Sequence, residues 1–405
     1  MKSGWEVKRL GEVCSFIRGP FGGSLKKNIF KEDGYAVYEQ QHAIYDQFDK
    51  IRYFIDEKKF NEMKRFELNS GDLIMSCSGT MGKIAVVPKN IKQGIINQAL
   101  LILSPSKKVS NIFLKLWMQS ENFQDSLKKY SQGAAIQNVA SVKILKEIEI
   151  PLPPLPEQQR IVAILDEAFA AIAKAKTNAE QNLKNAKELF ESYLQSVFEN
   201  KLHGSEFETL DSLCELIVDC EHKTAPIQET GYPSIRTPNI GKGVLILDGV
   251  NRVSEETYNE WTRRAIPQTD DLILAREAPA GNIGVIPENI KVCLGQRTVL
   301  IRPKKNKIIS KFLAYLILSK DVQEQLLSHS TGATVEHINM KDIRAFKIFN
   351  ISLITEQQTI VQKLDALLVE TKQLEAIYQQ KINDLDELKK SILQKAFAGE
   401  LCYRL

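Results

Sequence analysis

No stretch of this 405-residue chain approaches the ~20 uninterrupted apolar residues that a membrane span requires. The opening Met1-Lys-Ser-Gly-Trp5 has no apolar signal core. A cytoplasmic protein without a membrane association is expected. The six cysteines, Cys14, Cys77, Cys214, Cys220, Cys293 and Cys402, never occur as Cys-x-x-Cys and are too sparse for a disulfide scaffold. They read as buried or incidental thiols. The five histidines form no His-Glu-x-x-His and no cluster with ligand spacing, so no metal site is expected. Amino-methyl transfer would call for a motif such as Asn/Asp-Pro-Pro-Tyr/Phe. The lone Pro-Pro, Pro153-Pro154, follows Leu152, and no loop for S-adenosylmethionine accompanies it. Gly79-Thr-Met-Gly-Lys83 imitates a phosphate loop, but its leading glycine is misplaced and Ile84 stands where a magnesium-holding Ser/Thr belongs. A turn between strands is the expected reading, and the chain is expected to carry no catalytic residue and no cofactor of its own.

What is present is a normal soluble mixture, 43% apolar and 26% charged, in a chain long enough for two or more cores. The net charge of +4 is unevenly spread. Residues 1–156 hold 23 Lys+Arg against 16 Asp+Glu, while 203–355 hold 18 against 19. The excess on the first part could attract phosphate, so the second part would have to rely on a local basic face or on partners.

Two distant segments read alike: Gly71-Asp-Leu-Ile-Met-Ser-Cys-Ser-Gly-Thr-Met-Gly-Lys-Ile-Ala-Val-Val-Pro88 and Asp270-Asp-Leu-Ile-Leu-Ala-Arg-Glu-Ala-Pro-Ala-Gly-Asn-Ile-Gly-Val-Ile-Pro287. Their offset is 199 residues, and an ungapped extension pairs Gln98 with Arg297, Gly133 with Gly332, Glu157-Gln-Gln159 with Glu356-Gln-Gln358, and Phe198 with Phe397. Near the start, Leu10 and Cys14 match Leu210 and Cys214 at an offset of 200. Each copy opens with short β-rich runs, turns and a few helical stretches, which predicts an α+β domain with a twisted or partly closed sheet. A long helix follows in each. Its apolar positions step by four and three through Ile161, Leu165, Ala168, Ile172, Ala175, Ala179, Ala186, Leu189 and Tyr193 in one copy. In the other they run through Ile360, Leu364, Leu367, Leu374, Tyr378, Leu385, Leu388 and Ile392. Pro156 suits a first helical position, Thr355 with Gln358 fits a capping box, and Asn182 and Lys381 interrupt the seam.

These patterns predict an α+β chain: a pseudo-two-fold tandem repeat of two α+β domains separated by two long antiparallel coiled-coil helices. The boundaries fall at 1–156 and 203–355 for the domains, and at 157–202 and 356–405 for the helices. A permutant opened near Asn200 is then expected to fold. A helix of ~40 residues spans about 60 Å, which sets an upper limit of roughly 18 base pairs between contacted DNA segments. Two unlike half-sites around an unread spacer are the expected target.

The Pro/Thr-Glu-Gln-Gln helix starts, the paired Gly-Asp-Leu-Ile and Asp-Asp-Leu-Ile runs with Gly82 and Gly281, and the helix ends Phe198-Glu-Asn-Lys-Leu202 and Phe397-Ala-Gly-Glu-Leu401 resemble the specificity subunit of type I restriction and modification systems. The resemblance covers essentially the whole chain. It implies two target-recognition domains, each reading half of a bipartite double-stranded DNA site, and helices that dock two methyltransferase subunits, with restriction subunits joining them. S-adenosylmethionine, ATP and magnesium would belong to those partners. A coiled-coil adaptor that does not read sequence is the alternative.

Base reading needs paired hydrogen bonds, from Arg or Lys to guanine and from Asn or Gln to adenine. Candidates in the first domain are Ser24, Lys26, Lys27, Gln40, Gln41, His42, Ser78, Thr80, Lys83 and Gln98. The second offers His222, Lys223, Thr224, Arg236, Asn239, Arg276, Asn282 and Arg297. Arg276 and Arg297 rank first, because they replace Cys77 and Gln98 in the common frame, and Arg276→Ala is expected to relax one half-site.

Overall fold

The computed structural model describes residues 4–131, 141–199, 207–277, 280–328, 338–349 and 353–401. Gly133, Gly332, Asn200, Leu202 and Cys402 lie outside them. The chain forms two compact units, residues 1–180 with 379–405, and residues 181–378. Each unit holds one globular domain, part of the long helix Leu155–Glu199 and part of the long helix Ile354–Ala398.

In the first unit, a four-stranded antiparallel sheet runs in the order Cys14–Arg18, Leu100–Pro105, Leu73–Ser76, Ile84–Val86. A second sheet has Tyr35–Tyr38 at its centre, antiparallel to Tyr53–Ile55 and parallel to Gly94–Ile96. A ribbon of Glu6–Arg9 with Glu149–Leu152 closes the domain on the helix side. Strand alternation sorts the apolar side chains into two cores. Leu73, Met75, Leu101 and Leu103 join the helices, including Phe113, Trp117, Ile161 and Leu165. Ile74, Leu100 and Ile102 face the second sheet, with Tyr38 and Ile96. A sheet covered on both faces explains why these strands read as nearly continuous apolar runs.

The second unit repeats this plan. Its main sheet runs Cys214–Asp219, Thr298–Pro303, Leu272–Ala275, Ile283–Val285 and adds Lys242–Val244 in parallel at the edge. Leu272, Leu274, Val299 and Ile301 face the helices. Ile273, Ala275 and Leu300 face the smaller sheet side. The expected α+β repeat is therefore present, each domain carrying a main sheet, a three-stranded sheet and a two-stranded ribbon.

Within the first unit the two helix segments run antiparallel. Ile161 and Leu165 share a core with Leu393, Ala396 and Phe397, and Lys176 meets Asp386 at 2.7 Å. Within the second, Phe190, Leu194 and Phe198 share a core with Ile360 and Leu364. The seam departs from the expected heptads. Leu189, Tyr193, Leu374 and Leu388 are exposed, while Phe190, Leu194, Thr371 and Ile382 are buried. A helix of 3.6 residues per turn drifts against a strict seven-residue repeat, and here the first helix turns Phe190, Leu194 and Phe198 toward the domain core. Asn182 and Lys381 are exposed, so they do not interrupt the seam.

The helix starts also differ from expectation. The first begins at Leu155, so Pro156 is its second residue, and the second begins at Ile354, which puts Thr355 inside the first turn instead of at the cap. The Glu-Gln-Gln motif serves another purpose. Gln158 is fully buried, accepts the Ser110 N–H at 2.8 Å and donates to the carbonyls of Lys108 and Pro153. Gln357 does the same with the Ile309 N–H and the Lys307 carbonyl. Each glutamine ties the helix start to the loop ahead of a domain helix.

The shared Asp-Leu-Ile runs have a comparable cause. Asp72 accepts the Asn69 N–H and Asp271 the Gln268 N–H, which closes the turn before the central strand. Gly82 and Gly281 have φ of +73° and +90°, and their carbonyls accept the amides of Gln124 and Gln323. A side chain there would be strained and would strike those same glutamines.

Candidate nucleic-acid interface

In the first unit the strands Cys14–Arg18, Leu73–Ser76, Tyr35–Tyr38 and Gly94–Ile96 all end at the edge where Leu100–Pro105 and Ile84–Val86 begin. Their loops are laced together by backbone. Gly19 N–H donates to the Leu100 carbonyl, Cys77 N–H to Ala99 and Asn97 N–H to Tyr38. The opposite edge leads into the ribbon and the long helix, so the loop end is the face left for a ligand.

The second unit has the same lacing. Cys220 N–H donates to the Thr298 carbonyl, Arg276 N–H to Arg297 and Gly295 N–H to Ile235. These bonds fix which residues correspond. Cys77 matches Arg276, as expected, but Ala99 matches Arg297, and Gln98 matches Gln296. The register drops one residue between Pro88 and Gln98, and the matched glutamines Gln158 and Gln357 show it restored. The ungapped pairing of Gln98 with Arg297 is thus corrected. A bulge between Cys214 and Leu216 shifts the first strand as well, so Arg18 corresponds to Asp219.

At these corresponding positions the chemistry is exchanged. In the first unit Arg18 ends its strand half-buried, with no side-chain partner among the described residues, and its charge reaches Cys77. Burial outweighs that charge and pushes the Cys77 thiol up to about 12. In the second unit the cation has moved to the end of the strand Leu272–Ala275, across the intervening strand Thr298–Pro303. Arg276, 6% exposed, donates to both oxygens of Asp219 at 2.7 Å and to the Ile338 carbonyl.

Arg276 is therefore a buried tie, and its placement among exposed base readers is corrected, because its guanidinium is already committed to protein acceptors. His42 and Asn239 are corrected likewise. His42 is buried, with its ring against the Glu39 amide and the Lys50 carbonyl. Asn239 accepts the Arg236 N–H and donates to Ile246. Asn282 spends its amide on the Ile240 carbonyl.

The remaining candidates keep surface at the loop end. Ser24, Lys26, Lys27, Thr80, Lys83 and Gln98 are exposed, and Gln40, Gln41 and Ser78 are partly so. In the second unit His222, Lys223, Thr224, Arg236 and Arg297 are exposed. Arg297 adopts φ +67°, a conformation that costs a non-glycine residue energy, and pairs with Glu277 at 2.8 Å.

Sequence reasoning passed over Arg18 and the group Asp219, Glu221, Arg263 and Arg264. Glu221 is nearly buried and holds Arg263 and Arg264, whose guanidiniums remain largely exposed. Here a sunken acid lies below two arginines. The adjacent Arg263-Arg264 pair was the readable clue. The Arg18/Asp219 equivalence was hidden by the bulge. The five described cysteines are all buried, with the thiols of Cys14 and Cys214 also pushed up to about 12 by burial.

Comparison with known proteins agrees with the duplicated plan. The family model described as the type I restriction modification DNA specificity domain matches residues 2–183 and 204–384. The chain is 25% identical over 411 residues to the putative type I restriction enzyme MjaX specificity subunit of Methanocaldococcus jannaschii, covering 98% of this chain and 93% of that one. It is 23% identical to the EcoKI specificity subunit of Escherichia coli K12, covering 99% and 90%. The crystal structure of the HsdS subunit from Thermoanaerobacter tengcongensis superposes with a TM-score of 0.62 at 20% identity, covering 99% and 98%. A chain solved in a study of assembly and conformational transition of the type I R-M system reaches 0.75 at 20% identity and 99% coverage of both. With a specificity domain matched in each half, this chain belongs to the type I restriction modification DNA specificity family.

Proposed function

We propose that each globular domain reads one half of an asymmetric bipartite site in double-stranded DNA through its loop end, with the long helices as spacer and docking surface for two methyltransferase subunits. The observation that carries this reading is one backbone frame bearing two unlike sets of side chains at the same edge. A frame shared to the level of individual hydrogen bonds fixes the geometry of approach. Arg236, Arg263, Arg264 and Arg297 in one copy, against Arg18, Gln40, Lys83 and Gln98 in the other, offer different donors to base edges and phosphates.

The chain acts without chemistry of its own, as a cytoplasmic subunit. Cleavage and methylation, with S-adenosylmethionine, ATP and magnesium, lie on methyltransferase and restriction partners. The names of its relatives as specificity subunits support this division of labour. The test is reconstitution with the cognate methyltransferase subunits, followed by mapping of methylated sites. Replacing residues 207–349 by the same segment of a relative should change one half of the recognised sequence and leave the other intact. Binding that ignores sequence in that complex would favour an adaptor without readout, and methylation by the purified chain alone would overturn the division of labour.

A further inference from the structure

At the loop end of the first unit one apolar side chain is left in water. Phe21 is 92% exposed. Single exposed apolar residues are ordinary on protein surfaces, so exposure alone means little. The loop that carries Phe21 adds more. Its root is closed: a Cβ at Gly19 would lie 1.9 Å from the Asn97 carbonyl oxygen, the Gly19 N–H donates to Leu100, and Pro20 is buried. Its tip is open, since nothing lies within 4 Å of a Cβ built on Gly23. Phe21 begins the tight turn Gly22–Ser24, and its carbonyl accepts the Ser24 N–H. Cations flank it, with Arg18 before and the exposed Lys26 and Lys27 after.

The corresponding loop of the second unit, Cys220-Glu221-His222-Lys223-Thr224-Ala225-Pro226, has no Phe, Tyr or Trp, and at the place of Phe21 it carries His222, whose imidazole lies 3.2 Å from Asp219. It is held down, because Arg264 donates to the Asp219 and Cys220 carbonyls, Gln296 to that of His222, and Ala225 packs on the core of Val253 and Tyr258. Among the described residues, the first unit presents an exposed phenyl ring on this stem where the second presents the polar imidazole of His222 beside Asp219.

We propose that Phe21 is a wedge that enters the base stack at the half-site read by the first unit, opening one base step and kinking the duplex there, while the second half-site is bound without a wedge. The proposal rests on the reading above that the loop end faces DNA. Partial insertion of an apolar side chain unstacks a step, and the bend it produces brings flanking phosphates toward cations such as Lys26 and Lys27. Pyrimidine–purine steps open most easily, so the first half-site should favour TA or CA/TG at the wedge position without a hydrogen bond to the bases there.

The experiment uses the full chain with its cognate methyltransferase subunits on duplexes carrying the mapped site. Fluorophores at the two ends report bending. In separate duplexes 2-aminopurine sits at a step of the first or second half-site, away from any methylated adenine. Wild-type complex should draw the ends together and brighten the probe in the first half only. Phe21→Ala should straighten the duplex and lose affinity by about tenfold, and Phe21→Trp should keep both the bend and the binding. A wild-type complex that methylates the site yet leaves the first half stacked overturns the wedge, as does a Phe21→Ala complex that bends like wild type, and in both cases sequence reading survives. A wild-type complex that cannot distinguish the site from a scrambled duplex overturns the reading itself.

Discussion

The two domains solve the same electrostatic problem in opposite ways. In the first, a half-buried arginine at the end of one strand lies within reach of a neutral thiol two strands away, and its charge is left for an incoming group. In the second, an aspartate holds the strand end, and the arginine across from it is consumed in a buried pair. Exposed cations then have to come from elsewhere, from Arg263, Arg264 and Arg297, each braced by an acid. A reading surface can thus be made by leaving one charge unpaired, or by burying acids under several charges. Net charge by segment detects only the first solution.

The sharpest break in this comparison is to impose one solution on the other. Cys77→Arg places a second cation beside Arg18 at a fully buried position, and should destabilise the first domain by about 3–5 kcal/mol. Adding Arg18→Asp recreates the pair found in the second domain and should recover more than half of that loss. Hydrogen exchange resolved by segment would show it, and a double variant no better than the single one would contradict the equivalence of Arg18 with Asp219. Arg276→Ala should likewise unfold the second domain more readily, where the sequence alone suggested a relaxed half-site.

The frame, by contrast, should respond alike in both copies. Gln158→Ala and Gln357→Ala each orphan backbone groups in a buried seam and should cost about 2–3 kcal/mol apiece. Denaturant unfolding that found one substitution harmless would show that the copies do not share this joint.

Smaller effects should fall on DNA alone. Arg297→Ala should weaken discrimination in the second half-site by about 1–3 kcal/mol, and Gln98→Ala in the first, with thermal stability nearly unchanged. Competition binding against single-base variants of each half would detect a loss that crosses into the wrong half. Smallest in selectivity, Lys26→Ala with Lys27→Ala should lower the salt dependence of binding by about two units of slope for every sequence tested. A change confined to one sequence would place those lysines on bases.

The repeat, the helices and the strand framework were legible because each leaves a periodic or positional mark: Asp72 and Asp271 in their turns, Gly82 and Gly281 at positive φ, the buried glutamines at the helix starts. The candidate residues were less so. Arg276, His42 and Asn239 carry the functional groups that recognise bases, but backbone and acid partners supplied by distant segments absorb them. A sequence offset cannot show that. Nor could it show that one lost and one regained residue between Pro88 and the long helix move Arg297 opposite Ala99. Two compensating slips leave the flanking register intact, and only strand pairing exposes them.

The glutamine joint has a consequence for inheritance. Gln158 and Gln357 grip their domains through main-chain amides and carbonyls, and this grip is blind to side-chain identity in the segment it holds. A coding exchange that replaces a domain with a foreign cassette of the same backbone would meet this joint unchanged, provided it also supplies the apolar partners of the helices, as Phe113 does for Phe397 and Phe312 for Phe198. A new target could then arise in one recombination, because this part of the coupling is written in peptide groups that every sequence shares.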